Sequence, residues 1–574
     1  MDKIPKETKV IINKIKKVVS DFQKYNIDGY IVPKNDNFFS EYVKHDRLKI
    51  ISNFSGSAGF AIIFKNRNYL FVDGRYTLQA RRESGKNFKI IEYPYLLPKK
   101  LFQNISLGFD PKLFTKVQLQ FFFGNRIKLI PIATNLIDKL KKIKIKDNHP
   151  YYSLPSVVAG KTHKNKISLV TNILKKNKSD YLFVSAPENV AWLLNIRGSD
   201  IPFSPIPNCN CLIGKNKKIF LIAEKHKLRN LINEKKLLNH QIVDPKNFEA
   251  LFKNLKGKNI TIDSRTCSIF SENIISKKFN IKKKVDPCYL LKSKKNPSEI
   301  KNMIKSHVED GVALTKFLFW IKNKSNSSLT ELNAEKKLEQ FRKKSNNYLY
   351  PSFNTISGSG PNGAIIHYRA SKKTNRKINK KDIYLCDSGG QYKYGTTDVT
   401  RTICFSKPSK KIQRFFTLVL KGHIGVVTSN LNKNKTGHQI DYRARKFLKE
   451  YGYDFKHGTG HGVGFYSNVH EGPQSISKNN KVKLEEGMIL SNEPGYYEQG
   501  KFGIRIENLI FIKKLKKKLF FENLTLAPID KDLIDYKMLT NDEKDYIFKY
   551  HLMVYSKLSS FLSSSEKKWL MSHL

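Results

Sequence analysis

The sequence is short of cysteine, short of acid, and without any long apolar run. Its six cysteines are scattered, and only Cys209-Asn210-Cys211 is a close pair. That is neither a zinc-ribbon spacing nor a disulfide framework, so reduced thiols are expected. No apolar run approaches the roughly 18 residues that a membrane span needs. Met1-Asp2-Lys3-Ile4-Pro5-Lys6-Glu7 has no apolar core of the secretory type. The expectation is therefore a cytoplasmic protein with no membrane partner.

Acid is the larger deficit. Asp and Glu together number 49 against 105 Lys and Arg, a formal net charge of +56. Such a balance raises nucleic acid as a partner. However, Lys dominates over Arg and is spread along the chain with abundant Asn and Ile. No recognition module or basic helix is evident, and clusters such as Lys514-Lys516-Lys517-Lys518 are short. The excess reads as compositional bias of the kind an AT-rich genome imposes. No specific nucleic-acid partner is expected, only a nonspecific attraction to polyanions at low salt.

Apolar content of 40% over 574 residues is ample for about three to four domains. Residues 10–150 and 160–290 read as two copies of one α/β unit. Asp28-Gly29-Tyr30-Ile31-Val32-Pro33 parallels Asp180-Tyr181-Leu182-Phe183-Val184-Ser185. Asn53-Phe54-Ser55-Gly56-Ser57 parallels Asn195-Ile196-Arg197-Gly198-Ser199, and an apolar hairpin follows each. A lysine-rich joint, Lys292-Ser293-Lys294-Lys295-Asn296-Pro297, precedes a long helix, with Asn296 or Ser298 as its cap.

Beyond that joint a few acids fall in strand-like and turn-like words. Ile383-Tyr384-Leu385-Cys386-Asp387 and Thr397-Asp398-Val399-Thr400-Arg401 flank a glycine turn, and the whole reads as a β-hairpin. Its turn brings Asp387 and Asp398 together. Two adjacent carboxylates repel, a conflict that a bound dication removes. Cys386 and Cys404 read as small packing residues in this hairpin. Glu493 precedes a Pro-Gly turn. Ile504-Arg505-Ile506-Glu507-Asn508-Leu509 alternates as one strand, with Arg505 and Glu507 on a shared face. In His457-Gly458-Thr459-Gly460-His461-Gly462 the glycines exclude a helix, and a tight turn delivering one histidine to a metal is expected. His367 and His470 are further candidates. Asp387, Asp398, His461, Glu493 and Glu507 form a hard ligand set suited to two divalent ions sharing bridging carboxylates.

These words, in the order Asp, Asp, His, Glu, Glu, resemble the pita-bread metallopeptidases (family M24), and within them the aminopeptidase P branch. Asn492-Glu493-Pro494-Gly495-Tyr496-Tyr497 and Gly503-Ile504-Arg505-Ile506-Glu507-Asn508 carry much of the likeness. So does Ser357-Gly358-Ser359-Gly360-Pro361-Asn362 running on to His367. Asp73-Gly74-Arg75-Tyr76, Arg197-Gly198-Ser199-Asp200 and the tail from Leu524 to Leu570 resemble the long three-domain form.

The resemblance implies two related α/β domains, 1–155 and 156–295, before a pita-bread catalytic domain, 296–515, and a C-terminal extension, 516–574. It implies hydrolysis of an N-terminal X-Pro bond by a metal-bridged hydroxide, Mn²⁺ as the expected ion with Co²⁺ or Zn²⁺ compatible, and a homodimer. Asp387 would bind one ion, His461 and Glu493 the other, and Asp398 and Glu507 would bridge. His457 and His470 would stabilise the oxyanion or leaving group, His367 would lie on the proline side, and Glu493 would shuttle a proton. Arg505 and Tyr497 would support the site. Prolidase action on dipeptides and a noncatalytic pita-bread binder are the rival expectations.

Overall fold

The structure is a computed structural model that describes residues 6–140, 148–323 and 328–574. They form two compact units: Met1–Ser156, Lys161–Pro202 and Ile206–Cys288 in the first; Val157–Gly160, Phe203–Pro205 and Tyr289–Leu574 in the second.

The first unit holds two six-stranded sheets. Numbering the strands of each sheet from one, both have the spatial order 4-3-2-1-5-6. In the first sheet Gly29–Pro33 pairs antiparallel with Phe60–Phe64 and parallel with Ser106–Phe109. In the second Tyr181–Val184 pairs antiparallel with Asn210–Gly214 and parallel with Asn259–Ile262. The central strands read Gly-Tyr-Ile-Val-Pro and Tyr-Leu-Phe-Val, apolar without alternation, because helices bury both faces. The duplication read from the sequence is thus a duplicated topology.

In the second unit the long helix Pro297–Asn323 begins at Asn296, whose Oδ1 accepts from the backbone of Ser298 at 3.0 Å and Glu299 at 3.2 Å. That helix and Glu331–Arg342 pack on a three-stranded sheet of Ile356–Ser359, Tyr384–Ser388 and Val399–Ile403. A second helix pair, Lys410–Val427 and Gly437–Lys449, packs on a five-stranded sheet that includes Gly460–Gly462, Glu471–Ile476, Ile489–Asn492 and Asn508–Leu515. Strand periodicity then places the site. Leu314 and Leu338 of the helices share a core with Tyr384 and Cys386, so Asp387 points the other way.

All six cysteines are free and buried. No helix among the described residues is long and apolar enough to cross a membrane.

Candidate metal centre

Asp387 lies on Tyr384–Ser388 opposite Thr400 of Val399–Ile403, and Asp398 immediately precedes the latter strand. The hairpin forms as read. Its glycine turn is itself structured, with Gly390–Tyr392 paired to Gly395–Thr396. His461 departs from expectation: it sits on a short strand, Gly460–Gly462, and not in a tight turn. The glycines serve close packing there. A Cβ on Gly460 would lie 1.8 Å from the Ser491 carbonyl, and one on Gly462 would lie 2.3 Å from that of Glu471. The alternating run 504–511 also departs, being broken between Phe502–Arg505 and Asn508–Leu515. Ile506 N–H instead donates to the Pro494 carbonyl at 3.4 Å and Glu507 N–H to that of Thr400 at 3.2 Å. Both faces of this run are buried, so its alternation does not separate an inside from an outside.

Asp398, His461 and Glu507 each offer a ligand atom within 4.8 Å of the others. His461 Nε2 lies 3.4 Å from Asp398 Oδ2 and 3.5 Å from Glu493 Oε1. Asp387 joins through Arg505, whose guanidinium donates to Asp387 Oδ2 at 2.6 Å. The same guanidinium donates to Thr400 Oγ1 at 3.1 Å, and Thr400 donates to Glu507 Oε2 at 2.7 Å. Arg505 also donates to Tyr497 OH at 2.8 Å, which lies 2.9 Å from His457 Nε2. The His470 ring meets that of His461 edge to face, centroids 4.3 Å apart. His367 is half-buried, and the carbonyl before it, of Ile366, accepts from Arg505 at 3.5 Å.

Two supporting residues escaped the sequence reading. Thr400 links Arg505 to Glu507. Ser491 Oγ donates to Glu493 Oε1 at 2.9 Å and accepts the His461 N–H at 2.9 Å. The signal was available, since each sits on a strand two residues from a ligand at that strand's end.

The charge distribution suits a bound cation. Burial pushes Asp387 up to about 7, Asp398 and Glu493 adding to the rise while Arg505 opposes it. Burial likewise raises Glu493 and, strongly, Glu507, where Asp398 adds. Burial would lower His461, but Asp398 and Glu493 hold it up at about 9. Asp387 Oδ1 is buried with no hydrogen-bond partner among the described residues. Oxygen donors, one imidazole and an orphaned buried carboxylate oxygen match the requirements of hard divalent ions.

These directions set a pH dependence for the metal-free protein. A carboxylate raised on folding favours the fold when protonated, and that advantage is lost as pH climbs from the unfolded pKa, near 4, towards about 7 for Asp387. A histidine raised on folding contributes below its unfolded pKa and loses that contribution as pH rises through about 9. Both trends weaken the metal-free fold at higher pH, whereas a dication requires the deprotonated ligands. Thermal melts with and without a chelator should therefore show a larger loss of Tm at pH 8 than at pH 5.5. Equal losses at both pH values would count against this ligand set.

The sequence profile of metallopeptidase family M24 matches residues 301–514, and that of the C-terminal region of peptidase M24 matches 517–573. Creatinase/prolidase N-terminal domain profiles match 14–141 and 142–299. A Laccaria bicolor protein named "Probable Xaa-Pro aminopeptidase P" is 34% identical, over 96% of this chain and 91% of its own length. Xaa-Pro aminopeptidase 1 of Dictyostelium discoideum is 36% identical, over 97% and 95%. The crystal structure of X-prolyl aminopeptidase from Caenorhabditis elegans, described as a cytosolic enzyme with a di-nuclear active site, superposes with a TM-score of 0.90 at 29% identity, over 98% of this chain and 99% of that one. The fold is accordingly two creatinase-type domains followed by a pita-bread domain, and the chain belongs to metallopeptidase family M24.

Proposed function

We propose that the chain is a metal-dependent aminopeptidase that removes the N-terminal residue from peptides with proline at the second position. The observation that carries this is the convergence of Asp387, Asp398, His461, Glu493 and Glu507 around one buried point, in a chain alike over nearly its whole length to X-Pro aminopeptidases.

Asp387, Asp398, His461, Glu493 and Glu507 would hold the ions, Asp387 on one side, His461 and Glu493 on the other, with Asp398 and Glu507 between them. Bound divalent ions supply a Lewis acid and a water of lowered pKa at neutral pH. Mn²⁺ is the ion we expect, with Co²⁺ and Zn²⁺ as substitutes compatible with the same donors. Glu493, raised by burial and hydrogen-bonded by Ser491, is placed to hold a proton and pass it on. The Tyr497 hydroxyl and the His457 imidazole form a fixed pair, with His457 Nδ1 on the Gly458 carbonyl; when His457 is protonated its Nε2 donates to Tyr497 and frees the hydroxyl to donate to developing negative charge. His470 beside His461 is a second such donor, and His367 faces the proline side. Arg505 holds Asp387 and Tyr497 in place. Domain borders near residues 295 and 515 are supported by the profile matches, which put the first border at 141–142 and not near 155. A cytoplasmic location is supported by the likeness to a cytosolic enzyme, and a homodimer completes the reading.

The experiment is release of the N-terminal residue from an X-Pro-Y tripeptide with Mn²⁺, alongside the X-Pro dipeptide. The tripeptide should be preferred by about tenfold or more in kcat/KM, the scale of contacts a shortened substrate forgoes. Preference for the dipeptide would move the protein to prolidase chemistry. No cleavage of either peptide with Mn²⁺, Co²⁺ or Zn²⁺ would favour a noncatalytic binder.

A further inference from the structure

Glu471 is a buried carboxylate next to His470, and two buried lysines grip it. Lys295 pairs with Glu471 Oε1, and Lys292 Nζ lies 3.3 Å from Glu471 Oε2. The side chains of Lys292, Lys295 and Glu471 are each no more than 3% exposed. Burying three charges is costly, and a stability gain is a poor reason to keep such a cluster. None of the three belongs to the ligand set, and both lysines precede the M24 profile match, which starts at residue 301.

The backbone explains where the grip acts. Glu471 pairs in register with Gly462, the residue after His461. Glu471 opens the strand Glu471–Ile476, and His470 lies in the bend just before it. Anchoring Glu471 in the lysines therefore anchors the end of the bend that carries His470, whose ring is found against that of His461. The lysines are themselves fixed. Lys295 N–H donates to the Gly487 carbonyl at 3.0 Å, Lys294 bridges Met488, and the Lys292 ammonium sits 4.8 Å from the Tyr289 ring centroid. Gly487, at φ +81°, leaves no room for a side chain, since a Cβ there would lie 2.3 Å from the Lys295 carbonyl.

We propose that Lys292 and Lys295 are positioning residues for the reaction: by clamping the Glu471 carboxylate they fix the orientation of His470 over the metal centre. This rests on the role of His470 given above. Misplacing a reacting group by about 1 Å can cost about 100-fold in rate. Glu471→Gln and Lys292→Met should each lower kcat on an X-Pro-Y tripeptide by about 10- to 100-fold, with KM and metal content changed by less than about twofold. Lys292→Met is included because Glu471→Gln strands two buried ammonium groups and is the variant more prone to misfold.

The discriminating measurement is the cycle with His470→Ala in the metal-loaded enzyme. With His470 absent, adding Lys292→Met should cost less than about a further twofold in kcat, because the two act through one group. A full additional loss in that background overturns the proposal. So does a slow His470→Ala enzyme paired with unimpaired Glu471→Gln and Lys292→Met enzymes. A His470→Ala enzyme that turns over normally removes the role of His470 itself and this inference with it.

Discussion

Replacing Asp398 by Asn lowers turnover by about 1,000-fold or more and metal content with it, while the fold survives. The expectation follows from what Asp398 touches. Its carboxylate is buried, lies 3.4 Å from His461 Nε2, and shares a ligand cluster with Glu507. An amide keeps the shape but removes the charge, and in the proposed role as a ligand to both ions Asp398 would affect binding and chemistry together. Several kcal/mol of charge stabilisation rest on such a site, and each 1.36 kcal/mol is a factor of ten. Metal analysis of the purified variant, a thermal melt and turnover on an X-Pro-Y tripeptide test it together. Full activity in Asp398→Asn would remove the assignment; a melt without a cooperative transition would shift the blame to folding.

The second large effect is expected at Arg505. Its guanidinium is buried and spans Asp387, Tyr497 and Thr400 at 2.6, 2.8 and 3.1 Å. Arg505→Met leaves Asp387 buried without its cation, a loss on the scale of about 3–5 kcal/mol in stability at neutral pH. Asp387, already raised to about 7 with Arg505 present, would rise further and hold a proton where a metal is needed. Metal affinity should fall by about 10- to 100-fold, as when an outer partner of a ligand is lost. Arg505→Lys should rescue little, because one ammonium cannot reproduce a planar fork reaching three oxygens. Titration of the metal-free variants with Mn²⁺ measures this, and affinity within twofold of the parent in Arg505→Met would show that Asp387 is held by other means.

What could be read from the sequence was what local pattern determines. The Asp387 and Asp398 hairpin announced itself through glycines between β-branched runs, and the two sheets of the first unit through parallel words. The chemistry was legible because a hard ligand set is a matter of residue type. Local pattern failed where tertiary contact decides. Around His461 the glycines suggested a turn, yet they are small so that strands can approach each other. The run alternates from Ile504 to Glu507 as one strand would, but the Pro494 and Thr400 carbonyls draw Ile506 and Glu507 out of the ladder. Buried on both faces, that run had no solvent side to expose the break. Thr400 and Ser491 were passed over because a hydroxyl in a strand looks ordinary until its partner is known.

The buried guanidinium groups stand out against the lysine excess of this chain. Of its 105 cationic side chains only 17 are arginine. Yet six arginines are buried among the described residues, namely Arg47, Arg197, Arg342, Arg401, Arg445 and Arg505, against five lysines. Arg401 donates to the carbonyls of Thr400, Glu507, Ala527 and Pro528, a set no ammonium could span. Arginine is thus over-represented among the buried cations of a lysine-rich chain, and at Arg401 and Arg505 it sits where one side chain must reach several oxygens at once.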